Sequence, residues 1–190
     1  AMETVRLEST VSETQQLILP RKGIIELNRL LSDDGEEIKL TFGANHIRVA
    51  IPEFTFTSKL VDGKFPDYNR VLPKGGDRVL TNDREELRQA FSRASILSNE
   101  KYHGVRIILS KNELKILANN PEQEEAEEVV AVSYDSEALE MGFNVSYLID
   151  VLSTLQSQKV KITLSDANSS ALLEADEGSE ALYVIMPMRL

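Results

Sequence analysis

The chain has 190 residues, of which 31 are acidic and 21 basic, and it contains no cysteine. Its net charge of −10 argues against a simple basic nucleic-acid binder, because phosphate contacts need clustered Lys and Arg, and the lack of cysteine excludes disulfides and thiolate metal sites. No apolar run approaches the roughly 18 to 20 residues of a membrane span and no leader opens the chain, so we predict a soluble cytoplasmic protein of one or two domains.

Three helices are predicted from apolar residues at helical spacing, at residues 20–31, from residue 83 onward and at residues 144–155. The residues predicted to face inward on them are Ile24, Ile25, Leu27, Leu30, Leu31, Leu87, Ala90, Phe91, Ala94, Leu148, Ile149, Val151, Leu152 and Leu155. The strands predicted around the helices are residues 17–20, 38–42, 77–81, 104–110, 113–119, 127–133, 139–143 and 160–164.

These elements indicate three copies of one unit, strand, helix and three strands, repeated about every 62 residues. The pattern predicts an α+β fold. A single unit cannot bury its own apolar face and pairs with a neighbour, so we predict a complete domain at residues 76–190 and a partial domain with a linker at residues 1–75. Because one unit then has no partner, we interpret the chain as a fragment, and the opening Ala1-Met2 as a remnant of expression.

Five stretches carry a resemblance to a known family: SKLVDGKFPDYNRVLP, ILSNEKYHGVRI, ANNPEQEEAEE, EMGFNVSYLIDVL and YVIMPMRL. In this order they resemble the bacterial DNA polymerase III β subunit, the replication sliding clamp, from about residue 17 to the end. That family's subunit has three domains of paired units, and two subunits close head to tail into a ring around duplex DNA. The resemblance implies a DNA-clamp fold with antiparallel sheets outside and helices inside, covering the second half of the middle domain and the whole third domain.

The resemblance also implies a cleft in which partner proteins dock a short linear peptide. The matching positions are Pro66, Arg70, Val71, Tyr102, Asn144, Tyr147, Ser170, Val184, Ile185, Met186, Pro187, Met188, Arg189 and Leu190. Methionines offer adaptable apolar walls and the two arginines can hold polar groups of a peptide; the alternative is that Val184 and Met186 merely plug the protein's own core. The family's Thr-Asp-Gly-His-Arg-Leu stretch is not found, since only Arg6 and Leu7 match it, at the wrong spacing.

A ring-forming surface and a DNA-facing surface are further implications of the resemblance. The implied subunit interface comprises Ile96, Leu97, Glu122, Gln123, Glu124, Glu125, Glu127 and Glu128, and the residues that would face DNA are Arg21, Lys22, Arg29, Arg84, Arg88 and Arg93. The alternative for both sets is an ordinary solvated surface. We expect the fragment to be a monomer with no measurable duplex binding at physiological salt, and tight, salt-resistant binding in a gel shift would contradict this.

No catalytic chemistry is predicted. His46 and His103 are isolated, and no nucleophile elbow, phosphate loop or metal-ligand spacing is present. We therefore expect no enzyme activity and no cofactor. The alternative, an enzyme that uses the Glu-rich strand or Asp150 and Asp166 as acid and base, has no support from the spacing of these residues.

The expected function is a processivity clamp associated with the bacterial nucleoid. Its partners would be the replicative polymerase, the clamp loader, repair and translesion polymerases and mismatch-repair proteins. The alternative is a generic peptide-binding adaptor that forms no ring.

Overall fold

A computed structural model of the chain describes residues 1–6, 15–32, 37–73, 75–178 and 180–189. These residues form three α-helices, eleven β-strands and one short 3-10 helix. They divide into two compact units, which we call the N-terminal unit (residues 7–67) and the C-terminal unit (residues 68–190 together with residues 1–6). The chain passes from the N-terminal unit to the C-terminal unit between residues 67 and 68.

The N-terminal unit is one helix and one antiparallel sheet. Its elements are α1 (Arg21–Leu30), β1 (Lys39–Phe42), β2 (His46–Ala50) and β3 (Thr55–Lys59), with the strands in the order β1-β2-β3. Alternation along β2 buries Ile47 and Val49, which form a small core with Leu60. Leu27 of α1 packs against this core. The helix and three strands of the first predicted copy are therefore present.

Much of the apolar surface predicted to face inward in this unit is exposed. Ile24, Ile25 and Leu30 of α1 are 49%, 46% and 46% exposed, and Leu40 and Phe42 of β1 are 50% and 47% exposed. Among the described residues of this unit, three form the buried core against which the helix packs. This agrees with the expectation that one copy cannot cover its own apolar face.

The predicted strand at residues 17–20 is wrong, because residues 15–20 have no regular secondary structure. A strand needs a continuous ladder of backbone hydrogen bonds with a neighbour. Here the backbone link to the neighbouring segment is the hydrogen bond that Val61 N donates to Ile18 O at 2.9 Å. Leu17 and Leu19 still pack on the core of the unit, so the apolar pattern identified burial but not pairing.

The C-terminal unit contains both remaining copies. Its helices and strands are β4 (Arg78–Asp83), α2 (Arg84–Ser95), β5 (Gly104–Ser110), β6 (Glu113–Asn119), β7 (Glu125–Ala131), β8 (Leu139–Asn144), α3 (Val145–Thr154), β9 (Lys159–Leu164), β10 (Ala171–Ala175) and β11 (Leu182–Ile185). They form two antiparallel four-stranded sheets, in the orders β11-β10-β9-β4 and β7-β6-β5-β8. The α+β class and the repeated unit are confirmed.

One hydrophobic core joins α2, α3 and both sheets of this unit. All four residues predicted to face inward on α2 are buried, and on α3 the predicted residues are buried except Ile149, which is partly buried. Capping side chains begin both helices: Asp83 Oδ1 accepts from Glu86 N at 2.9 Å and Asn144 Oδ1 accepts from Ser146 N at 2.9 Å. Helical periodicity and caps therefore located both helices correctly.

Two segments extend the C-terminal unit at its margins. Met2 pairs with Leu182 through two backbone hydrogen bonds of 2.8 Å, so the first residues of the chain lie along the edge strand β11. Before β4, the backbone of Gly76 passes close to Thr163. A Cβ at this position would lie 2.6 Å from Thr163 Cγ2, so the position requires glycine.

Among the described ranges, no helix is long and apolar enough to cross a membrane.

Candidate functional site

The chain's C-terminal tail begins as an ordinary edge strand. In β11, Val184 pairs with Leu172 and Ile185 pairs with Ala171 of β10. Ile185 is 5% exposed and belongs to the core, whereas the next residue, Met186, is 63% exposed. The side chain that plugs the core is therefore Ile185, and not Val184 or Met186 as the alternative interpretation had it. Met186 remains available to a ligand.

Beyond β11 the tail reaches the other sheet of the unit, where Met188 N donates to Gly142 O of β8 at 2.8 Å. This places Met188 and Arg189 beside Tyr102, which is 55% exposed. The three residues belong to the lining of an open cavity of about 420 Å³, here called the tail cavity. Its lining residues are Asn99, Tyr102, Gly104, Asn119, Asn120, Pro121, Met188 and Arg189. The structure thus brings together three residues that the sequence predicted to share a site.

A second open cavity, here called the linker cavity, has a volume of about 610 Å³. Its lining residues are Arg70, Val71, Leu72, Pro73, Gly75, Ser165, Asp166, Asn168, Ser169 and Ser170. Three of these, Arg70, Val71 and Ser170, were predicted as peptide-binding residues. The cavity combines a guanidinium, a carboxylate, hydroxyls and apolar side chains, which suits a peptide with mixed chemistry.

The sequence did not predict Asp166 as part of the peptide-binding site. Its Oδ1 accepts from Asn168 N at 2.8 Å and its Oδ2 accepts from Ser169 Oγ at 2.7 Å. These hydrogen bonds, with that of Ser169 first, lower the pKa of the Asp166 carboxyl from its ordinary value. The SDANSS segment, residues 165–170, could have indicated this turn from the sequence, because Asp followed by Asn and Ser favours a turn closed by the Asp side chain.

The other predicted peptide-binding residues that the structure describes are not among the residues that line these two cavities. Asn144 caps α3, and Tyr147 in its first turn is 59% exposed. Pro66 lies in the N-terminal unit, and Leu190 lies outside the described residues. Asn144 Nδ2 also donates to Tyr102 O at 3.2 Å, so the amide is engaged on both sides by the protein itself.

The acidic run does not present one uniform surface. Strand alternation along β7 turns Glu125 and Glu127 to one face and Glu128 to the other. Glu127 pairs with Lys115 at 3.0 Å. The backbone amide of Glu124 donates to Asn120 Oδ1 at 2.9 Å, and the Glu124 carboxylate accepts from Asn120 Nδ2 at 2.6 Å. Ile96, predicted as the apolar centre of the subunit contact, is 76% exposed. The predicted interface thus keeps its exposed apolar residue, while its carboxylates divide between two faces.

Helix α2 offers less free positive charge than the sequence implied. Arg84 donates to the carbonyls of Leu152 at 2.7 Å and Ser157 at 3.0 Å, beside the C-terminal end of α3. Arg88 makes two hydrogen bonds to Glu85, at 2.6 and 2.8 Å, and these lower the pKa of the Glu85 carboxyl to about 2. Both arginines were predicted to face DNA, and both are held by groups of the protein itself.

The third arginine of α2 links the two predicted surfaces. Arg93 makes two hydrogen bonds of 2.8 Å to Glu128 of β7, joining a residue predicted to face DNA with one predicted to face another subunit. On α1, the positive charges are Arg21, Lys22 and Arg29, of which Arg29 lies 3.7 Å from Glu26. Any positive surface for DNA therefore depends more on α1 than on α2.

The pair of Arg93 and Glu128 predicts a pH-dependent contribution to stability. The hydrogen bonds from Arg93 lower the pKa of Glu128 from its ordinary value of 4.5. A carboxyl with a lowered folded-state pKa stabilises the fold above its unfolded pKa, and this stabilisation is lost as the pH falls through the folded-state pKa. We expect Glu128→Gln to be less stable than wild type at pH 7 in urea denaturation, and the difference to disappear in acid.

Glu125→Gln is the matched control, because Glu125 lies on the same strand with its side chain on the opposite face. We expect it to leave the stability at pH 7 nearly unchanged. An equal loss in both variants, or a loss for Glu128→Gln that persists in acid, would show that the ion pair is not the cause.

Comparison with known proteins identifies relatives along the whole chain. The family model described as DNA polymerase III beta subunit, central domain, matches residues 1–67, and the model described as the C-terminal domain of the same subunit matches residues 69–189. The protein named beta sliding clamp from Pseudomonas aeruginosa is 56% identical over 190 residues, covering 100% of this chain and 52% of the relative. That from Escherichia coli K12 is 52% identical over 177 residues, covering 93% and 48%.

Solved structures that are similar to this chain are also sliding clamps. The Pseudomonas aeruginosa sliding clamp bound to griselimycin superposes with a TM-score of 0.96 at 55% identity, covering 99% of this chain and 51% of that one. The sliding clamp from Bartonella birtlesii superposes with a TM-score of 0.91 at 39% identity, covering 99% and 54%. The chain therefore spans about half the length of the curated relatives and structures that it matches.

Proposed function

Because the chain belongs to the DNA polymerase III beta subunit family, we propose that it forms part of a processivity clamp, a ring that tethers the replicative polymerase to duplex DNA. In this function the protein performs no chemistry and acts by binding partners. The observation that carries the proposal is the tail, which leaves β11 after a buried Ile185 and lines a cavity with Met188 and Arg189. The tail would thus be both part of the fold and one wall of the proposed site.

The proposed ligand is a short linear peptide of a partner protein. Tyr102 and Met188 supply apolar surface in the tail cavity, where Arg189 can pair with carboxylates or carbonyls of a peptide. Arg70 adds a guanidinium group to the lining of the linker cavity. We propose that Pro66, Asn144, Tyr147, Ser170 and the tail serve the same peptide site, and that the clamp loader, repair and translesion polymerases and mismatch-repair proteins use it.

Ring formation and DNA encirclement are proposed for the full-length protein. Its subunit contact would use Ile96 and Leu97 as the apolar centre, with the acidic residues 122–128 facing basic groups of a neighbouring subunit. The ring holds DNA by topology, which agrees with a helix α2 whose arginines are already engaged. We propose that the protein works in the bacterial cytoplasm at the nucleoid, and that the present chain alone is a monomer.

Peptide binding is the direct test of this proposal. We expect a fluorescein-labelled Gln-Leu-x-Leu-Phe peptide, with alanine at x, to bind the chain with Kd on the order of 1 μM, since burial of two side chains contributes about 1.5–3 kcal/mol each beside main-chain hydrogen bonds. Fluorescence anisotropy measures it. The same peptide with alanine in place of its leucines and phenylalanine is the control.

Griselimycin provides a competitor, since it is bound in a relative whose structure matches 99% of this chain. We expect it to displace the labelled peptide. If the intact chain shows no saturable binding, or binds the control peptide equally well, the chain does not carry the proposed peptide site.

A further inference from the structure

Methionine is the side chain of this protein that peroxide oxidises most readily. The chain has four methionines, no cysteine and no tryptophan, so no thiol competes for the oxidant. Exposure to solvent then decides which methionine reacts first. Met141 is 3% exposed in the core, Met2 and Met188 are partly buried, and Met186 is 63% exposed. Met186 is therefore the methionine most open to an oxidant in solution.

The exposure of Met186 is fixed because the tail is held on both sides of it. Before it, Ile185 is buried in the core and pairs with Ala171 of β10. After it, Met188 N donates to Gly142 O of β8 at 2.8 Å. The strand alternation that turns Ile185 inward turns the next side chain outward. Moving the Met186 side chain into the core would break one of these two attachments.

Oxidation by hydrogen peroxide changes the chemistry of this side chain. One oxygen atom of the peroxide is transferred to the Met186 sulfur: the O–O bond breaks, an S–O bond forms, and the remaining oxygen leaves with both hydrogens as water. The sulfur is oxidised by two electrons and the peroxide is reduced by two. The product, methionine sulfoxide, is polar where the thioether was apolar and adaptable.

We propose that Met186 is a redox-sensitive site of the tail, at which oxidation by peroxide reversibly weakens peptide binding. This inference rests on the proposed peptide-binding function. In the reduced protein the thioether offers an apolar contact to a peptide, whereas the sulfoxide oxygen loses its hydrogen bonds to water when a peptide covers it. Methionine sulfoxide reductases return the side chain to the thioether, so the loss of binding is reversible.

The test treats the chain with hydrogen peroxide and follows both oxidation and binding. Tandem mass spectrometry of tryptic peptides gives the extent of oxidation at each methionine, and anisotropy with the labelled Gln-Leu-x-Leu-Phe peptide gives Kd after catalase has removed the peroxide. We expect Met186 to be oxidised about tenfold faster than Met141, which reacts only when the core opens. We expect Kd to rise about tenfold as Met186 is oxidised, and sulfoxide reductases A and B with dithiothreitol to restore it.

Three leucine variants assign the effect to one sulfur, because leucine keeps an apolar side chain of similar size without the sulfur. Each variant is compared with itself before and after peroxide, so its starting affinity does not enter the comparison. We expect peroxide to leave the Kd of Met186→Leu unchanged, and to raise the Kd of Met188→Leu and of the core control Met141→Leu as in wild type. Thermal unfolding before and after treatment checks that the C-terminal unit remains folded.

Several results would overturn the proposal. These are oxidation of Met141 ahead of Met186, an unchanged Kd after full oxidation of Met186, a rise in Kd that persists in Met186→Leu, and a rise that the reductases do not reverse. The proposed function fails separately: an untreated chain that binds no peptide overturns both proposals, whereas a chain that binds equally well before treatment and after full oxidation of Met186 overturns this one alone.

Discussion

Replacing Phe91 by alanine is expected to lower the free energy of unfolding of the C-terminal unit by about 3–5 kcal/mol. Phe91 lies on α2 and is 2% exposed in the core that joins the helices to both sheets. Its removal takes apolar surface out of the core and leaves a cavity that neighbouring side chains only partly fill. Phe91 is the largest of the buried side chains on α2, where the others are Leu87, Ala90 and Ala94.

Tyrosine fluorescence during urea denaturation measures this loss selectively. The chain has five tyrosines and no tryptophan, and Tyr68, Tyr102, Tyr134, Tyr147 and Tyr183 all lie in the C-terminal unit. The signal therefore follows that unit and not the N-terminal one. Far-UV circular dichroism of the same samples reports on both units, which avoids treating the whole chain as a single two-state system.

Ile24→Ala is the matched control for Phe91→Ala. Ile24 also occupies an apolar helical position that the sequence predicted to face inward, but it is 49% exposed on α1. We expect its replacement to cost less than about 1 kcal/mol, because little burial is lost. A comparable loss for the two variants would show that the face of α1 is covered, contrary to the structure.

Two adjacent residues of the tail are expected to serve different purposes, Ile185 the stability of the fold and Met186 the binding of a peptide. Ile185→Ala removes a 5% exposed core side chain and lowers the stability of the C-terminal unit by about 2–5 kcal/mol. Met186→Ala removes a side chain that is 63% exposed, so stability changes little. If Met186 is buried by a bound peptide, its loss weakens binding about tenfold to a hundredfold, corresponding to about 1.5–3 kcal/mol.

Peptide anisotropy and urea denaturation of the two variants provide the measurement, with a chain ending at Ile185 as the limiting case. That truncation removes the hydrogen bond from Met188 to Gly142 together with Arg189, and we expect it to abolish binding while the C-terminal unit stays folded. Full peptide affinity in the truncated chain would exclude the tail as a wall of the site. A large loss of stability in Met186→Ala would show that its side chain serves the core.

The N-terminal unit is expected to be the less stable part of the chain. In the described part of this unit the buried core consists of Ile47, Val49 and Leu60, and the apolar face of its helix is half exposed. A small core supplies little burial to offset the entropy of ordering the chain. This explains why the same local pattern, an apolar stripe on a helix before strands, produces a well-packed unit in the second and third copies but not in the first.

The sequence by itself determined the local elements and their repetition. The strands predicted at residues 104–110 and 113–119 are β5 and β6 with the same bounds, and α2 and α3 begin within one residue of the predicted starts. These features follow from periodicity, turn residues and caps, which act between residues close in the chain. The family resemblance rests on the same local stretches, so it too was accessible without a structure.

Only the tertiary structure decided which side chains are engaged and which are available. Arg93 is paired with Glu128, 35 residues away, and Asn144 with Tyr102, 42 residues away; no local pattern predicts such partners. Likewise, burial of Ile185 but not of Ile24 depends on whether another element covers that face. The physical reason is that propensity and periodicity act along the chain, whereas burial, ion pairing and hydrogen bonding of side chains depend on segments that meet only after folding.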